Sequence, residues 1–183
     1  MNDRLIKNFD ELSTTPNRKI ALEVIEAGFG AIKTNLVVQS SLSLDGDILS
    51  IKGQKFDLKK IKRMRVVGFG KSSCEAAQAL ENILGDRIEK GAVIDLSRVS
   101  SGRIEFFAGS HPKPSRVNIE AGNKICELLN GLHEDDLVIV LVSGGGSALL
   151  CYPESECKEG VKLYDGFLKS GKTIAEINTV RKH

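Results

Sequence analysis

The sequence predicts an α/β fold of three layers, doubly wound, in which a mostly parallel sheet carries helices on both faces. The chain has 183 residues, of which 41% are hydrophobic and 27% charged, as expected for one globular domain. From residue 63 onward, strand-like apolar runs alternate with segments of helical periodicity. Two strand-like runs end in glycines, at 68–70 and 144–146. In open α/β sheets, this carboxyl edge is where ligands bind.

The residues before this alternation are predicted to form a helical cover and a hairpin. Pro16 suits the first turn of a helix. The apolar residues that recur behind it at helical spacing are Ile20, Val24, Ala27 and Ala31, with Leu22 and Ile25 widening the face. Asp45-Gly46 is typical of a turn, and the runs 48–51 and 55–58 beside it predict a short hairpin.

The alternation that follows predicts four strands and two helices. The predicted strands are residues 65–68, 91–95, 103–108 and 137–142. The predicted helices are residues 72–84, between the first and second strands, and 115–132, between the third and fourth. The last strand is a continuous apolar run, which is typical of a strand buried on both faces. The sequence has no internal repeat, and no linker that would divide it into two full domains.

Composition argues against two classes of partner. A net charge of +2, an aromatic content of 5% and the absence of Trp do not favour nucleic acid. The basic run 59–65 leads directly into a strand, so we interpret it as a solvated strand entrance. The longest apolar run, 137–142, is far shorter than the ~20 residues that cross a bilayer. We therefore expect no membrane association and a cytoplasmic location.

The four cysteines show no metal-site or disulfide pattern. Cys74, Cys126, Cys151 and Cys157 form no C-x-x-C pair. We therefore predict that they are reduced and serve as small packing residues.

The segment Ser143-Gly144-Gly145-Gly146-Ser147 predicts an anion site. It follows the buried strand and precedes a helix-forming Ala-Leu-Leu. Glycines let the backbone approach a ligand, and a helix amino terminus favours phosphate, with the two serine hydroxyls as further donors. The alternative is a glycine turn that only joins a strand to a helix.

A second glycine turn, Gly68-Phe-Gly70-Lys71-Ser72-Ser73, matches neither common nucleotide motif. A P-loop requires glycine at position 65, where Arg65 stands, and a dinucleotide fingerprint requires glycine at 73, where Ser73 stands. What remains is a lysine at a predicted helix start, where its charge would stabilise phosphate oxygens. The alternative is a surface lysine beside a helix cap.

Two further segments carry titratable or basic residues. In Ser110-His111-Pro-Lys-Pro114, His111 could orient a hydroxyl or transfer a proton, because an unperturbed imidazole titrates near neutral pH. A histidine in a proline-rich turn is otherwise structural. The segment Thr173–His183 shows helical spacing and ends in three basic or titratable residues. A solvated helix end is the default interpretation of such a run.

Together, these four segments resemble one family, the glycerate 2-kinases composed of a MOFRL-associated (DUF4147) domain and a MOFRL domain. The matching segments, in the family's order, are Gly68–Ser72, His111–Pro114, Ser143–Leu150 and Ile177–His183. The combination is specific, although no single segment is. The resemblance implies that residues 1–183 are the amino-terminal, DUF4147-like domain, incomplete at its carboxyl end, with the MOFRL domain absent.

The resemblance implies an activity and a set of site residues. The activity is ATP-dependent phosphorylation of D-glycerate to 2-phosphoglycerate, with ATP and Mg²⁺ as cofactors. Ser143 to Ser147 would hold the nucleotide phosphates, and no residue is implied as a metal ligand. The remaining residues implied are Lys71 and Arg181 for catalysis and His111, Asn178 and Lys182 for substrate binding.

The chain departs from the family pattern in two ways. Ser115 stands where the family usually has Asp, so this position can cap a helix but cannot bind a cation as a carboxylate would. The family also continues beyond the Arg181-Lys-His183 segment. We therefore expect the MOFRL domain to complete the cleft, and the isolated chain to be inactive.

Two alternatives remain open. One is a non-catalytic module that binds a phosphorylated ligand through the same glycine turn. The other is hydroxypyruvate reductase, an older label in this family, which the missing dinucleotide fingerprint disfavours.

Overall fold

The structure, a computed structural model, describes residues 4–99 and 102–181. Its helices and strands are, in chain order, α1 (Phe9–Leu12), α2 (Pro16–Ala31), α3 (Thr34–Ser41), β1 (Leu42–Asp45), β2 (Ile48–Ile51), β3 (Gln54–Asp57), β4 (Arg63–Phe69), α4 (Ser73–Leu84), β5 (Lys90–Asp95), β6 (Ile104–Ala108), α5 (Arg116–Leu129), β7 (Asp136–Val142), α6 (Gly146–Leu149), α7 (Glu154–Ser170) and α8 (Ile174–Arg181). Short 3-10 turns follow β3 and α4.

The predicted parallel sheet is confirmed. Four strands pair in the order β6-β5-β4-β7, and all three pairings are parallel. Strands β4 and β7 pair over their full length, from Arg63 opposite Asp136 to Phe69 opposite Val142. Their carboxyl ends therefore lie side by side, and the two glycine turns that follow them are neighbours in space.

The sheet is packed on both faces, as the three-layer prediction requires. Side chains alternate between the faces along each strand because the side-chain period of a strand is two. The core on the α4 face includes Leu49, Met64, Val66, Leu80, Val93 and Phe106. The core on the α5 face includes Val67, Ala92, Ile94, Phe107, Ile125 and Leu149. The layers thus hold the strand ends in fixed positions.

The predicted hairpin is one strand larger than the sequence indicated. Strands β1, β2 and β3 form an antiparallel sheet in which β1 pairs with β2 and β2 pairs with β3. Leu42 and Leu44 alternate with Ser43 and Asp45, a strand pattern too short to separate from the preceding helix. Leu49 of β2 is completely buried, so this small sheet extends the core on the α4 face.

The expected inward face of α2 is instead exposed. Helix α2 has no buried residue, and Ile20, Val24 and Ile25 are among its exposed apolar side chains. Glu26 of this helix accepts hydrogen bonds from the Arg4 guanidinium and the Ile6 N–H. The periodicity predicted the helix correctly, but it did not indicate what the helix packs against.

Helix α5 ends at Leu129, earlier than the predicted residue 132. Asn130 has extended backbone, and Gly131 follows with a positive φ of 67°. Within the described residues, no helix combines the length and the apolar content that crossing a bilayer requires.

The prediction of four reduced cysteines is wrong for two of them. Cys151 and Cys157 form a disulfide, with Cα atoms 5.6 Å apart, whereas Cys74 and Cys126 are free. The chain turns between the end of α6 and the start of α7, and the Cys157 N–H donates to Pro153 O in the first turn of α7. A separation of six residues across such a turn brings the two sulfurs together, and a search for C-x-x-C pairs does not detect it.

Ion pairs join the amino ends of β4 and β7. The Arg63 guanidinium binds the Asp136 carboxylate at both oxygens, with Nε 2.9 Å from Oδ1. Asp136 Oδ2 also accepts from the His133 N–H at 2.8 Å. The hydrogen bond from Arg63 is the main cause that lowers the pKa of Asp136 to about 2, and the His133 N–H adds to it. The neighbouring Lys62–Asp135 pair is more exposed.

Candidate functional site

The two glycine turns are bonded to each other at the carboxyl ends of β4 and β7. The Ser143 N–H donates to Phe69 O at 3.1 Å, and the Lys71 N–H donates to Gly144 O at 2.9 Å. The Ser72 N–H donates to the Ser143 Oγ at 3.1 Å. These bonds continue the β4–β7 pairing past the last paired residues, so that both turns have a fixed relative position.

Gly70 makes this contact possible. Its φ is 128°, a conformation that favours glycine strongly. A Cβ at this position would lie 2.2 Å from Ser143 Oγ and 2.5 Å from Ser143 O. A residue with a Cβ would have to displace the second turn, and the close contact between the two turns therefore requires glycine at position 70.

Gly145 is the point at which three separate sequence segments converge. A Cβ placed on it would lie 3.0 Å from Lys71 Cε, 3.2 Å from His111 Cδ2 and 3.3 Å from His111 Nε2. Its φ of 82° is again in the region that favours glycine. Lys71 comes from the turn after β4, His111 from the loop after β6, and Gly145 from the turn after β7. The structure therefore brings the predicted lysine, histidine and glycine turn together.

The turn offers backbone donors beside these side chains. Within the described residues, the Gly144 and Gly145 N–H groups donate to no protein acceptor. Gly144 is exposed, and a Cβ on it would meet nothing within 4 Å. Two donors, an ammonium group and an imidazole thus share one open surface. This set suits an anion such as a phosphate or a carboxylate.

Two other residues of the predicted phosphate segment have internal contacts. The Ser143 Oγ accepts from Ser72, as described above, and the Gly146 N–H donates to Ser143 O at 3.3 Å. A Cβ on Gly146 would lie 2.7 Å from Phe69 Cδ2, so this glycine is required for packing. Ser147 is exposed on the first turn of α6. The outward-facing part of the segment is therefore Gly144, Gly145 and Ser147.

Helix α6 is shorter than the helix expected after the glycines. It contains only the four residues Gly146–Leu149. A single turn aligns few peptide dipoles, so it adds little to the attraction of an anion. The favourable charge at this edge comes mainly from Lys71.

The amino terminus of α4 is already occupied by protein groups. Asp95, whose side chain is buried, accepts from the Cys74 N–H at 3.0 Å. The Ser73 N–H donates to Gly70 O at 3.1 Å. Burial, and to a smaller extent the Asp95 carboxylate, raise the pKa of Cys74 to about 12. Cys74 therefore stays a thiol, and neither it nor the start of α4 provides a binding group.

The loop that carries His111 is anchored by a residue that the sequence reasoning missed. Asn118, completely buried in α5, hydrogen-bonds to Ser110 and Ser115 at the two ends of this loop. The spacing Ser115-x-x-Asn118 is that of a capping box, which could have indicated it. Lys113 of the same loop pairs with Asp165 of α7.

Three predicted site residues cannot be placed at this edge. Asn178 and Arg181 belong to helix α8, but their side chains lie outside the described residues, as does the whole of Lys182. Their predicted roles remain predictions. Among the described residues, no cluster of three or more His, Cys, Asp or Glu side chains could hold a metal ion.

Comparison with known proteins identifies relatives over most of the chain. The family profile described as "Domain of unknown function (DUF4147)" matches residues 20–183. A glycerate 2-kinase from Pyrococcus horikoshii is 35% identical over 172 residues, which cover 91% of this chain and 38% of that relative. A putative hydroxypyruvate reductase from Agrobacterium vitis is 42% identical over 125 residues, which cover 66% of this chain and 28% of that relative.

A solved structure has the same fold. A crystal structure of a protein from Pyrococcus horikoshii OT3 superposes with a TM-score of 0.78 at 34% identity, over 92% of this chain and 39% of that one. The chain thus spans well under half the length of the relatives it matches.

Proposed function

Because this chain belongs to the DUF4147 family, we propose that it forms the phosphate- and substrate-binding part of a glycerate 2-kinase. The reaction would transfer the terminal phosphoryl group of ATP to the 2-hydroxyl of D-glycerate. The relatives named glycerate 2-kinase support a kinase role. The structural observation that carries the proposal is the convergence of Lys71, His111 and the Gly144 and Gly145 N–H groups at one edge of the sheet.

In this proposal, the outward-facing part of the glycine turn binds phosphate oxygens. The Gly144 and Gly145 N–H groups donate to the oxygens, and Ser147 lies beside them on an exposed turn. Lys71 places a positive charge next to the same position, and charge stabilisation is the main task of a protein in phosphoryl transfer. ATP would supply the transferred group when bound.

His111 and the carboxyl-terminal residues would bind glycerate. His111 and Lys71 both approach Gly145, so an acceptor hydroxyl bound at this turn would be within reach of both side chains. Arg181 is assigned to catalysis, and Asn178 and Lys182 to the substrate, from the family resemblance alone. A guanidinium can bind a carboxylate or a phosphate through two parallel hydrogen bonds.

The described residues around this turn do not form a Mg²⁺ site. Mg²⁺ prefers carboxylates and phosphate oxygens, whereas this edge presents an ammonium, an imidazole and N–H donors. Asp95, the carboxylate at the end of β5, is buried and accepts from the Cys74 and Leu96 N–H groups. We therefore assign Mg²⁺ to the nucleotide phosphates.

A second domain would complete the cleft. Strand β7 is at the edge of the described sheet, and Val140 and Val142 are 51% and 67% exposed beside the site. Exposed apolar residues next to a binding edge support a covering partner, which we propose to be a MOFRL domain. Closure would also remove water and strengthen the charge interactions.

A coupled assay of the complete gene product tests the proposal. Glycerate and ATP with Mg²⁺ should give ADP, and NMR of the product should show phosphate on the 2-hydroxyl. Oxidation of NADH by hydroxypyruvate, without ADP formation, would instead favour the reductase named among the relatives. Binding of ATP or phosphate with neither reaction would favour a non-catalytic module.

A further inference from the structure

We propose that Asn118 is a positioning residue, which sets the distance between His111 and the Gly144–Gly145 turn. Its side chain is completely buried and touches neither the expected anion nor the solvent. It acts on the site through two elements that are far apart in sequence, the loop after β6 and helix α6. The link to anion binding rests on the proposed function, but the positioning itself does not.

The Asn118 carboxamide oxygen closes the loop that carries His111. Oδ1 accepts from the Ser110 N–H at 2.9 Å, the Ser115 N–H at 2.9 Å and the Ser115 hydroxyl at 2.9 Å. Ser110 and Ser115 directly flank the His111–Pro114 segment. One buried oxygen thus holds both ends of a four-residue loop.

The carboxamide nitrogen connects this loop to the glycine turn. Nδ2 donates to Ser110 O at 3.1 Å and to Leu149 O at 3.0 Å. Leu149 ends helix α6, and its own N–H donates to Gly145 O at 3.1 Å. The orientation of the amide follows from its partners, since backbone N–H groups only donate and carbonyls only accept.

These contacts form a closed ring around the site. From Gly145 it passes through Leu149, Asn118 and Ser110 to His111, and His111 returns to within 3.3 Å of a Cβ placed on Gly145. Asn118 is the side chain that joins the two halves. Because buried polar groups are costly to leave unpaired, the ring has one favoured geometry.

The substitution Asn118→Asp separates the two tasks. Aspartate has nearly the same shape and keeps an acceptor for the Ser110 and Ser115 N–H groups, but its carboxylate cannot donate to Leu149 O or to Ser110 O. Asn118→Leu removes both the acceptor that closes the loop and the donor that reaches Leu149 O. The matched control is Asp136→Asn at the other end of the sheet, where the replaced side chain is also almost completely buried, with 2% exposed, and hydrogen-bonded.

The readout is the nuclear Overhauser effect between the His111 ring protons and the Gly145 Hα protons, without ligand and at pH 8. The wild type and Asp136→Asn should show the effect, and both Asn118 variants should lose it while far-UV circular dichroism stays unchanged. Folded Asn118 variants that keep the effect would overturn the proposal.

If both variants fail to fold, NMR measurements on the wild type test whether Asn118 links the loop to helix α6. The Asn118 side-chain amide protons should exchange slowly and show contacts to Leu149, whereas fast exchange would contradict the link. For an Asn118 variant that folds, a titration with inorganic phosphate tests the functional part, and the affinity should fall by about tenfold, the scale of one hydrogen bond to a charged group. A wild type that shows the ring contact but binds no phosphate would contradict the proposed function and leave the positioning intact.

Discussion

The two ends of the β4–β7 strand pair carry charged and polar groups of similar kinds, but they use them differently. At the amino end, Arg63 and Asp136 satisfy each other, and Lys62 pairs with Asp135. At the carboxyl end, Lys71 stands beside Gly144 and Gly145, whose N–H groups have no protein acceptor among the described residues. We call the amino end, where the charged groups pair with each other, the closed end, and the carboxyl end, where the N–H donors face no protein acceptor, the open end.

On one scaffold, a stabilising cluster differs from a binding cluster in whether its polar groups have partners within the fold. A charge whose partners lie within the fold contributes to the free energy of unfolding. Donors that converge without a partner contribute little to folding and remain available to a ligand. Substitutions of the paired charges at the amino end should therefore change stability, and substitutions of the unpaired groups at the carboxyl end should change binding or turnover.

The largest effect is expected from Lys71→Ala. In the complete gene product, it should lower turnover by at least ~10²-fold, the scale of losing one well-placed charge-stabilising group. The melting temperature should hardly change, because Lys71 is exposed. A glycerate kinase assay and a thermal melt measure both, with Lys62→Ala as the matched lysine at the closed end. Near-normal turnover of Lys71→Ala would refute the assignment.

The two turns can be compared through their glycines. Gly70→Ala should destabilise the fold by roughly 1–3 kcal/mol, because φ is 128° and the new Cβ would overlap Ser143. Gly144→Ala should cost much less, since a Cβ there meets nothing within 4 Å. Urea denaturation of both variants tests this difference. Equal stability of the two variants would show that the contact between the turns is not required.

Gly145→Val tests binding at the open end, at some cost in stability because φ is 82° there. The new side chain would approach Lys71 and His111 within about 3 Å and would occupy the space in front of the turn. ATP–Mg²⁺ affinity should fall by tenfold or more, since one lost charged hydrogen bond is of this size. Isothermal titration calorimetry is the measurement. If Gly145→Val binds ATP–Mg²⁺ with the wild-type affinity, this turn has only a structural role.

The smallest effect is expected from the closed end in acid. Asp136 has a pKa of about 2 in the fold, below the ordinary aspartate value of about 3.9, because Arg63 hydrogen-bonds to its charged form. Its stabilisation is therefore complete above about pH 4 and is lost as the pH falls towards 2. Asp136→Asn should remove this part of the acid dependence of the melting temperature. An unchanged slope between pH 4 and pH 2 would contradict the role of the pair.

The sheet and its glycine turns could be predicted from the sequence because their signals are local. The run Leu137–Val142 has the apolar content of a strand, and glycines end it directly. The expectation that this strand is buried on both faces is wrong, because β7 is an edge strand of the described sheet, with Val140 and Val142 exposed. Parallel pairing then places every such turn at one edge. The position of Lys71 beside this turn follows from the pairing of β4 with β7, whereas His111 follows β6 at the opposite edge of the sheet, so its approach to the turn depends on the path of the loop.

Other features depend on contacts with distant parts of the chain, which local sequence patterns do not identify. The apolar stripe of α2 predicted a helix but not its exposed environment. The Cys151–Cys157 disulfide needs the turn between α6 and α7. The role of Asn118 depends on Leu149, which is 31 residues away. Whether a backbone N–H is occupied can likewise be decided only from the fold.

The most direct test of the open end is a phosphate titration followed by ¹H–¹⁵N NMR of the wild-type chain. The amide signals of Gly144 and Gly145 should shift in a saturable manner, together with those of Lys71 and His111, while the signals around Arg63 and Asp136 should not move. Saturable shifts confined to the carboxyl end would support the account. Shifts spread over both ends, or no shift at Gly144 and Gly145, would contradict it.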